Sequence, residues 1–168
     1  MPCPYPGKIS VLMLAPHRVI RLDLLNMSKS FESSRAPEPV GAFPHAKRVG
    51  DLLFLSGIGP RVRGSKEISG VTLNPAGNIV SYDIEKQCYT VFENVRLVLE
   101  DAGATWNDIV DVTVFLTNMK KDFPIYNRIY AEHFAGPGKP NPTRTTIEVT
   151  ALPTPIAIEL KVIAAIGK

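Results

Sequence analysis

Residues 83–117 read DIEKQCYTVFENVRLVLEDAGATWNDIVDVTVFLT, and two different periods meet inside them. From Ile84 onward, Ile84, Cys88, Val91, Val95, Val98, Leu99 and Ala102 recur at steps of three and four, the spacing of one face of a helix. Ser81 or Asp83 can cap its start and Gly103 its end. From Ile109 the period falls to two, with Val110, Val112, Val114 and Leu116 alternating through a β-branched run, which predicts a strand over 109–117. A helix with one apolar stripe and a strand directly after it can each bury that surface only against the other, which is the logic of a layered α+β unit.

Outward from this segment the same reading extends in both directions. On the N-terminal side, residues 45–48 and 52–56 flank Gly50-Asp51, a hairpin turn pair. Leu52-Leu53-Phe54-Leu55 is apolar throughout, so both of its faces are expected to be covered. Residues 61–80 hold Gly64, Gly70 and Asn74-Pro75-Ala76-Gly77-Asn78 and read as a loop with at most a short hairpin. On the C-terminal side, Asp122 is the expected cap of a second helix running to about Phe134, with Phe123, Tyr126, Ile129, Tyr130 and Phe134 on one side. Residues 144–150 and 157–165 are the last strands, separated by Leu152-Pro153-Thr154-Pro155. The order β-β-α-β-α-β-β predicts a single sheet with two helices on one face. The other face, which mixes Thr, Ser, Arg and Glu with apolar residues, is expected to meet another subunit.

Composition narrows the function classes. With 168 residues, 45% hydrophobic and 21% charged, the chain is long enough for one sizeable core and too apolar to be disordered. No run of about 18 apolar residues exists, so no membrane partner is expected. Cys3 and Cys88 are too few for a disulfide framework, and His17, His45 and His133 are too dispersed for a metal set, so no metal is expected. Lys8, Arg18, Arg21, Lys29 and Arg35 face only Asp23 and Glu32 in residues 1–35, a surplus of three. Subtracting them from 19 basic and 16 acidic groups leaves 14 of each sign in residues 36–168. A neutral body argues against nucleic acid as a partner.

Residues 1–35 therefore read as an N-terminal extension and residues 36–168 as the folded domain. Pro2, Pro4, Pro6 and Pro16 interrupt any early element. Ile9–Ala15 is apolar and follows Lys8, like a short signal core, but Pro16-His17-Arg18 stands where a small-residue cleavage site belongs. A basic presequence is countered by Asp23 and Glu32. The preferred reading is a mobile tail, or a true start at Met27, with a cytoplasmic location.

No Walker loop, G-x-S-x-G or H-E-x-x-H is present, and Gly57-Ile58-Gly59-Pro60 is not followed by the helix a dinucleotide loop needs. Two charges stand out instead. Arg144 opens a strand after Asn141-Pro142-Thr143, and Glu159 interrupts Ile156-Ala157-Ile158 and Leu160. A charge in a mostly covered strand is costly without a partner or a task. The plain alternative is that the two pair with each other or point to solvent.

Around these residues, Gly50–Gly57, Asp108–Leu116, Pro142-Thr143-Arg144-Thr145-Thr146-Ile147-Glu148-Val149 and Ile158-Glu159-Leu160-Lys161-Val162-Ile163-Ala164 resemble the RidA (YjgF) family of reactive intermediate deaminases, in order and with family-like spacing from about Gly41 to Ile166. Residues 1–35 lie outside the likeness, and 61–80 form a longer insert than the shortest members have. The resemblance implies a chorismate-mutase-like trimeric barrel, sheets inside and helices outside, with sites between subunits and trimers that can pair into hexamers. It implies that Arg144 holds a substrate carboxylate and that Glu159 is the acid/base or water-positioning group. Ser56 and Gly57 fall on the ligand-contacting strand end. Phe43 stands at an aromatic wall position commonly occupied by tyrosine. Asn127 matches a cleft-lining helix residue, and Thr146 stands where many members carry cysteine, its carbonyl rather than its side chain facing ligand.

Residues 36–48 and Ser56-Gly57-Ile58-Gly59-Pro60-Arg61 are similar to the 2-aminomuconate deaminase branch of that family. Arg61 and Arg63 are extra cations, suited to anchoring the second carboxylate of a dicarboxylate. The implied activity is cofactor-free hydrolysis of 2-aminomuconate, through its imine, to 4-oxalocrotonate (2-oxohex-3-enedioate) and ammonia in aromatic-compound degradation. The alternatives are a broad 2-iminoacid (2-aminoacrylate-type) deaminase and a non-enzymatic, chaperone-like or ligand-sensing trimer.

Overall fold

The apolar stripe of α1 (Ile84–Asp101) points one way: Ile84, Cys88, Val91, Val95, Val98 and Leu99 are all buried. Asp83 caps this helix, its carboxylate accepting from the Lys86 N–H at 3.1 Å. In the computed structural model the described residues are 10–15, 18–23 and 28–166. The readings that rest on Pro2, Pro4, Pro6, Pro16, Cys3, His17 and Met27 lie outside them.

The remaining elements follow in chain order. Two short strands, β1 (Ser10–Ala15) and β2 (Arg18–Asp23), pair with each other. Then come β3 (Ser28–Phe31), β4 (Ala46–Val49), β5 (Leu52–Leu55), β6 (Val71–Leu73), β7 (Ile79–Tyr82), α1, β8 (Ile109–Leu116), α2 (Met119–Phe134), β9 (Thr143–Glu148) and β10 (Ile158–Ala165). The main sheet has the order β3-β4-β5-β10-β8-β9 and is antiparallel except for β8 and β9, which the α2 crossover makes parallel. Both helices pack on one face of it, burying Leu53, Leu55, Val112, Val114, Leu160 and Val162 completely. The α+β layout is the expected one. The sheet also takes in β3, on the extension side of the boundary expected at residue 36.

Two local readings change. The second helix starts earlier than Asp122: Asn118 is its cap, accepting from the Lys121 N–H at 3.0 Å. Asp122 instead sits fully buried in the first turn and accepts the Tyr82 hydroxyl at 2.7 Å. Second, β5 is covered on one side only. Leu53 and Leu55 face the helices, while Leu52 remains 40% exposed on the opposite face. The short hairpin allowed for in 61–80 is β6–β7, organised by the Asn74 side chain, which accepts from the N–H of Ala76 and of Asn78. The turn between β4 and β5 is Gly50-Asp51 as expected, with Gly50 at φ 60°, where glycine has no steric penalty.

Candidate active site

Strand register decides which predicted site residues can meet. In β10 the helix-facing residues Ile158, Leu160 and Val162 are fully buried, and Glu159 lies between them on the open face. Glu159 pairs in register with Phe115 of β8, which pairs with Ile147 of β9. Arg144 pairs with Val112, which pairs with Val162. Side chains alternate faces along a strand, so Arg144 and Glu159 project from opposite faces of the sheet. Within one chain they do not form an ion pair.

Glu159 belongs to a cleft shared with Phe43, His45, Ser56, Gly57 and Arg61. Among the described residues no hydrogen bond or ion pair engages its carboxylate, and burial raises its pKa while Arg61 pulls it back down. Gly57 is there for space. Its backbone is not left-handed, yet a Cβ at this position would overlap Oε1 of Glu159 and sit 2.9 Å from Cδ. A flexible carboxylate can swing away from such a methyl group, so Gly57→Ala is expected to leave the fold intact and displace Glu159. A displacement of about 1 Å at a reacting group lowers kcat on the order of 10²-fold. A thermal melt with kinetics on the variant checks this, unchanged melting with reduced kcat being the expected pair.

The wall of the cleft is tied down from the strand side. Ser56 Oγ donates to the Pro44 carbonyl at 2.6 Å, so its proton is already committed and it can offer a ligand only lone pairs. Arg61 lines the cleft but also donates to the Glu38 carbonyl. Arg63 donates to the Ala36 carbonyl at 2.7 Å and pairs with the Glu38 carboxylate at 3.2 Å, so it straps the wall. Phe43, 42% exposed, is the apolar rim.

Two contributors were not singled out by sequence. His45 is buried, its Nε2 3.0 Å from the Pro37 carbonyl and its Nδ1 3.0 Å from the Ser33 N–H and 3.1 Å from the Glu32 carboxylate. A carbonyl can only accept, so Nε2 carries the proton. Asn94 sits on the buried face of α1 and donates to the carbonyls of Gly59 and Arg61, both at 2.9 Å, fixing the 57–61 loop. A polar residue inside the Val91, Val95, Val98 stripe was the available signal.

Arg144, Asn127 and Thr146 form the second group. Arg144 Nη2 donates to Asn127 Oδ1 at 3.0 Å, and no ion pair engages the guanidinium among the described residues. Thr146 lies two residues further on the same face, its hydroxyl buried and without a hydrogen-bond partner among the described residues. β9 is an edge strand, and its outer side has no pairing strand among the described residues.

A family model described as Endoribonuclease L-PSP matches residues 33–166. A RutC family protein of Pyrococcus abyssi is 37% identical over 133 residues, covering 79% of this chain and 92% of its own. A 2-iminobutanoate/2-iminopropanoate deaminase of Dermatophagoides farinae is 33% identical over 132 residues, covering 78% and 91%. The crystal structure of YyfA, a Rid-family protein of Yersinia pestis, is 35% identical, covers 82% and 98%, and aligns with a TM-score of 0.65. Sequence likeness over the whole folded part and the shared two-helix sheet together show that the chain belongs to the RidA (YjgF/RutC) family of reactive intermediate deaminases, whose family model bears the Endoribonuclease L-PSP description.

Proposed function

We propose that the chain hydrolyses a carboxylate-bearing enamine through its imine, in a site made from the Glu159 cleft of one copy and the Arg144 group of a neighbour. The observation that carries this is an unpaired, half-buried Glu159 held against Gly57, on the sheet face opposite Arg144. Either group alone can bind or move a proton, and together they can do both. A second copy supplies the missing half, as in a trimeric barrel with its open sheet faces turned inward.

The chemistry needs few parts. The enamine tautomerises to an imine, whose carbon is electrophilic without a metal or cofactor. Arg144 holds the adjacent carboxylate through paired N–H donors. Glu159 takes a proton from water as the water oxygen bonds to the imine carbon and passes it to the nitrogen, giving a carbinolamine; the hydroxyl proton of that intermediate then moves to nitrogen through the same carboxylate as the C–N bond breaks and the carbonyl forms. One water is consumed, one ammonia leaves and a 2-oxo acid remains. The preferred substrate is 2-aminomuconate, giving 4-oxalocrotonate, because Arg61 places a second cation beside Glu159 for a distal carboxylate. A specific observation favours a second reading, a broad 2-iminoacid deaminase: the 33% identical relative is named 2-iminobutanoate/2-iminopropanoate deaminase.

Ammonia release from 2-aminomuconate, compared with an enzymatically generated amino-acid imine, separates the two. Faster turnover of the dicarboxylate supports the first reading and faster turnover of the short imine the second. Release from neither leaves the non-enzymatic trimer. Arg61 gives a further check. It lowers the Glu159 pKa, so Arg61→Met is expected to raise it. A base works deprotonated, so the acidic limb of kcat/KM should move to higher pH, read from a pH–rate profile.

A further inference from the structure

The Arg144 guanidinium rests on an aromatic bed supplied by one face of α2. Its central carbon is 4.3 Å from the Tyr130 ring centroid and 5.7 Å from those of Phe123 and Tyr126. Tyr130 is itself fixed, stacked on the fully buried Phe134 at 4.3 Å and 15° and set against Tyr126 at 5.7 Å. The spacing 123, 126, 130, 134 keeps all four rings on one side of the helix. Among the described residues, the side-chain hydrogen-bond partner of Arg144 is a neutral acceptor, Asn127. A carboxylate there would hold the guanidinium more firmly and cancel its charge. A ring face and an amide hold it flat while leaving the charge and most of its N–H donors unused.

We propose that Tyr130 is a positioning residue which, with Asn127, presents Arg144 as a preoriented, unneutralised cation for the substrate carboxylate. This rests on the assignment of Arg144 to substrate binding made above. The ring contributes its face and not its hydroxyl. Losing the platform removes binding that substrate and transition state share, so it raises KM more than it lowers kcat.

The test uses the full chain and whichever substrate is turned over, with kcat, KM and melting temperature measured for Tyr130→Leu, Tyr130→Phe and Asn127→Asp. Tyr130→Leu is expected to raise KM at least about tenfold with kcat within about threefold of wild type. Tyr130→Phe keeps the ring face and should stay within about twofold. Asn127→Asp should raise KM by about tenfold or more without lowering the melting temperature, because an internal ion pair then occupies Arg144. An unchanged KM in Tyr130→Leu, a Tyr130→Phe as impaired as Tyr130→Leu, or a wild-type KM in Asn127→Asp overturns the proposal. If Tyr130→Leu does not fold, Asn127→Asp decides by itself. Full activity in Arg144→Ala would instead remove the functional assignment, which keeps the two failures distinct.

Discussion

Arg144→Ala is expected to lose on the order of 10²-fold or more in kcat/KM while the protein folds and assembles as before. The guanidinium makes one hydrogen bond to Asn127 and lies over three rings, so removing it leaves no buried charge stranded and costs the fold little. The loss falls on the ligand, because a charge-assisted contact to a carboxylate disappears. Steady-state kinetics beside size-exclusion chromatography checks both halves. Activity within about twofold of wild type would remove Arg144 from the site.

Glu159→Gln is expected to lower kcat by about 10²- to 10⁴-fold and to leave substrate binding in place. The amide has the same shape and cannot take a proton from water. Stability supplies the control. Burial raises the Glu159 pKa, so the native state gives up that proton less readily than the unfolded chain does, and ionisation costs stability as pH rises through the raised value. Glutamine carries no such cost, so the melting temperature at neutral pH should hold or rise. An unchanged kcat sinks the proton-transfer role, and a fall in melting temperature with parallel loss of binding points to a structural carboxylate.

Much of the fold was legible because it is written in periods. The three- and four-residue steps through α1 and the alternation through β8 each need only local sequence, and the Gly50-Asp51 turn needs only local sterics. The start of α2 was less legible. Asn118 and Asp122 are both residue types that cap helices, and local sequence alone does not choose between them. Tertiary burial of Asp122 beneath Tyr82 decided it. The candidate site was legible as residue types but not as an arrangement. Which face Arg144 and Glu159 take depends on the pairing of β9 with β8 and of β8 with β10, and a slip of one residue would exchange the faces. Likewise, Ser56 and Arg63 look like free polar groups in sequence, and only the folded wall reveals that their donors are already engaged.

Placing the two charged groups on opposite sides of one sheet also separates their histories. Among the described residues no hydrogen bond or ion pair joins Arg144 or Asn127 to Glu159, so a substitution beside one leaves the polar partners of the other in place. Under the proposed division of roles, the aromatic bed and Asn127 can drift toward a different acid under selection while the Gly57–Glu159 contact stays as it is, so a lineage would acquire a new substrate by altering one half of the sheet and inheriting the other.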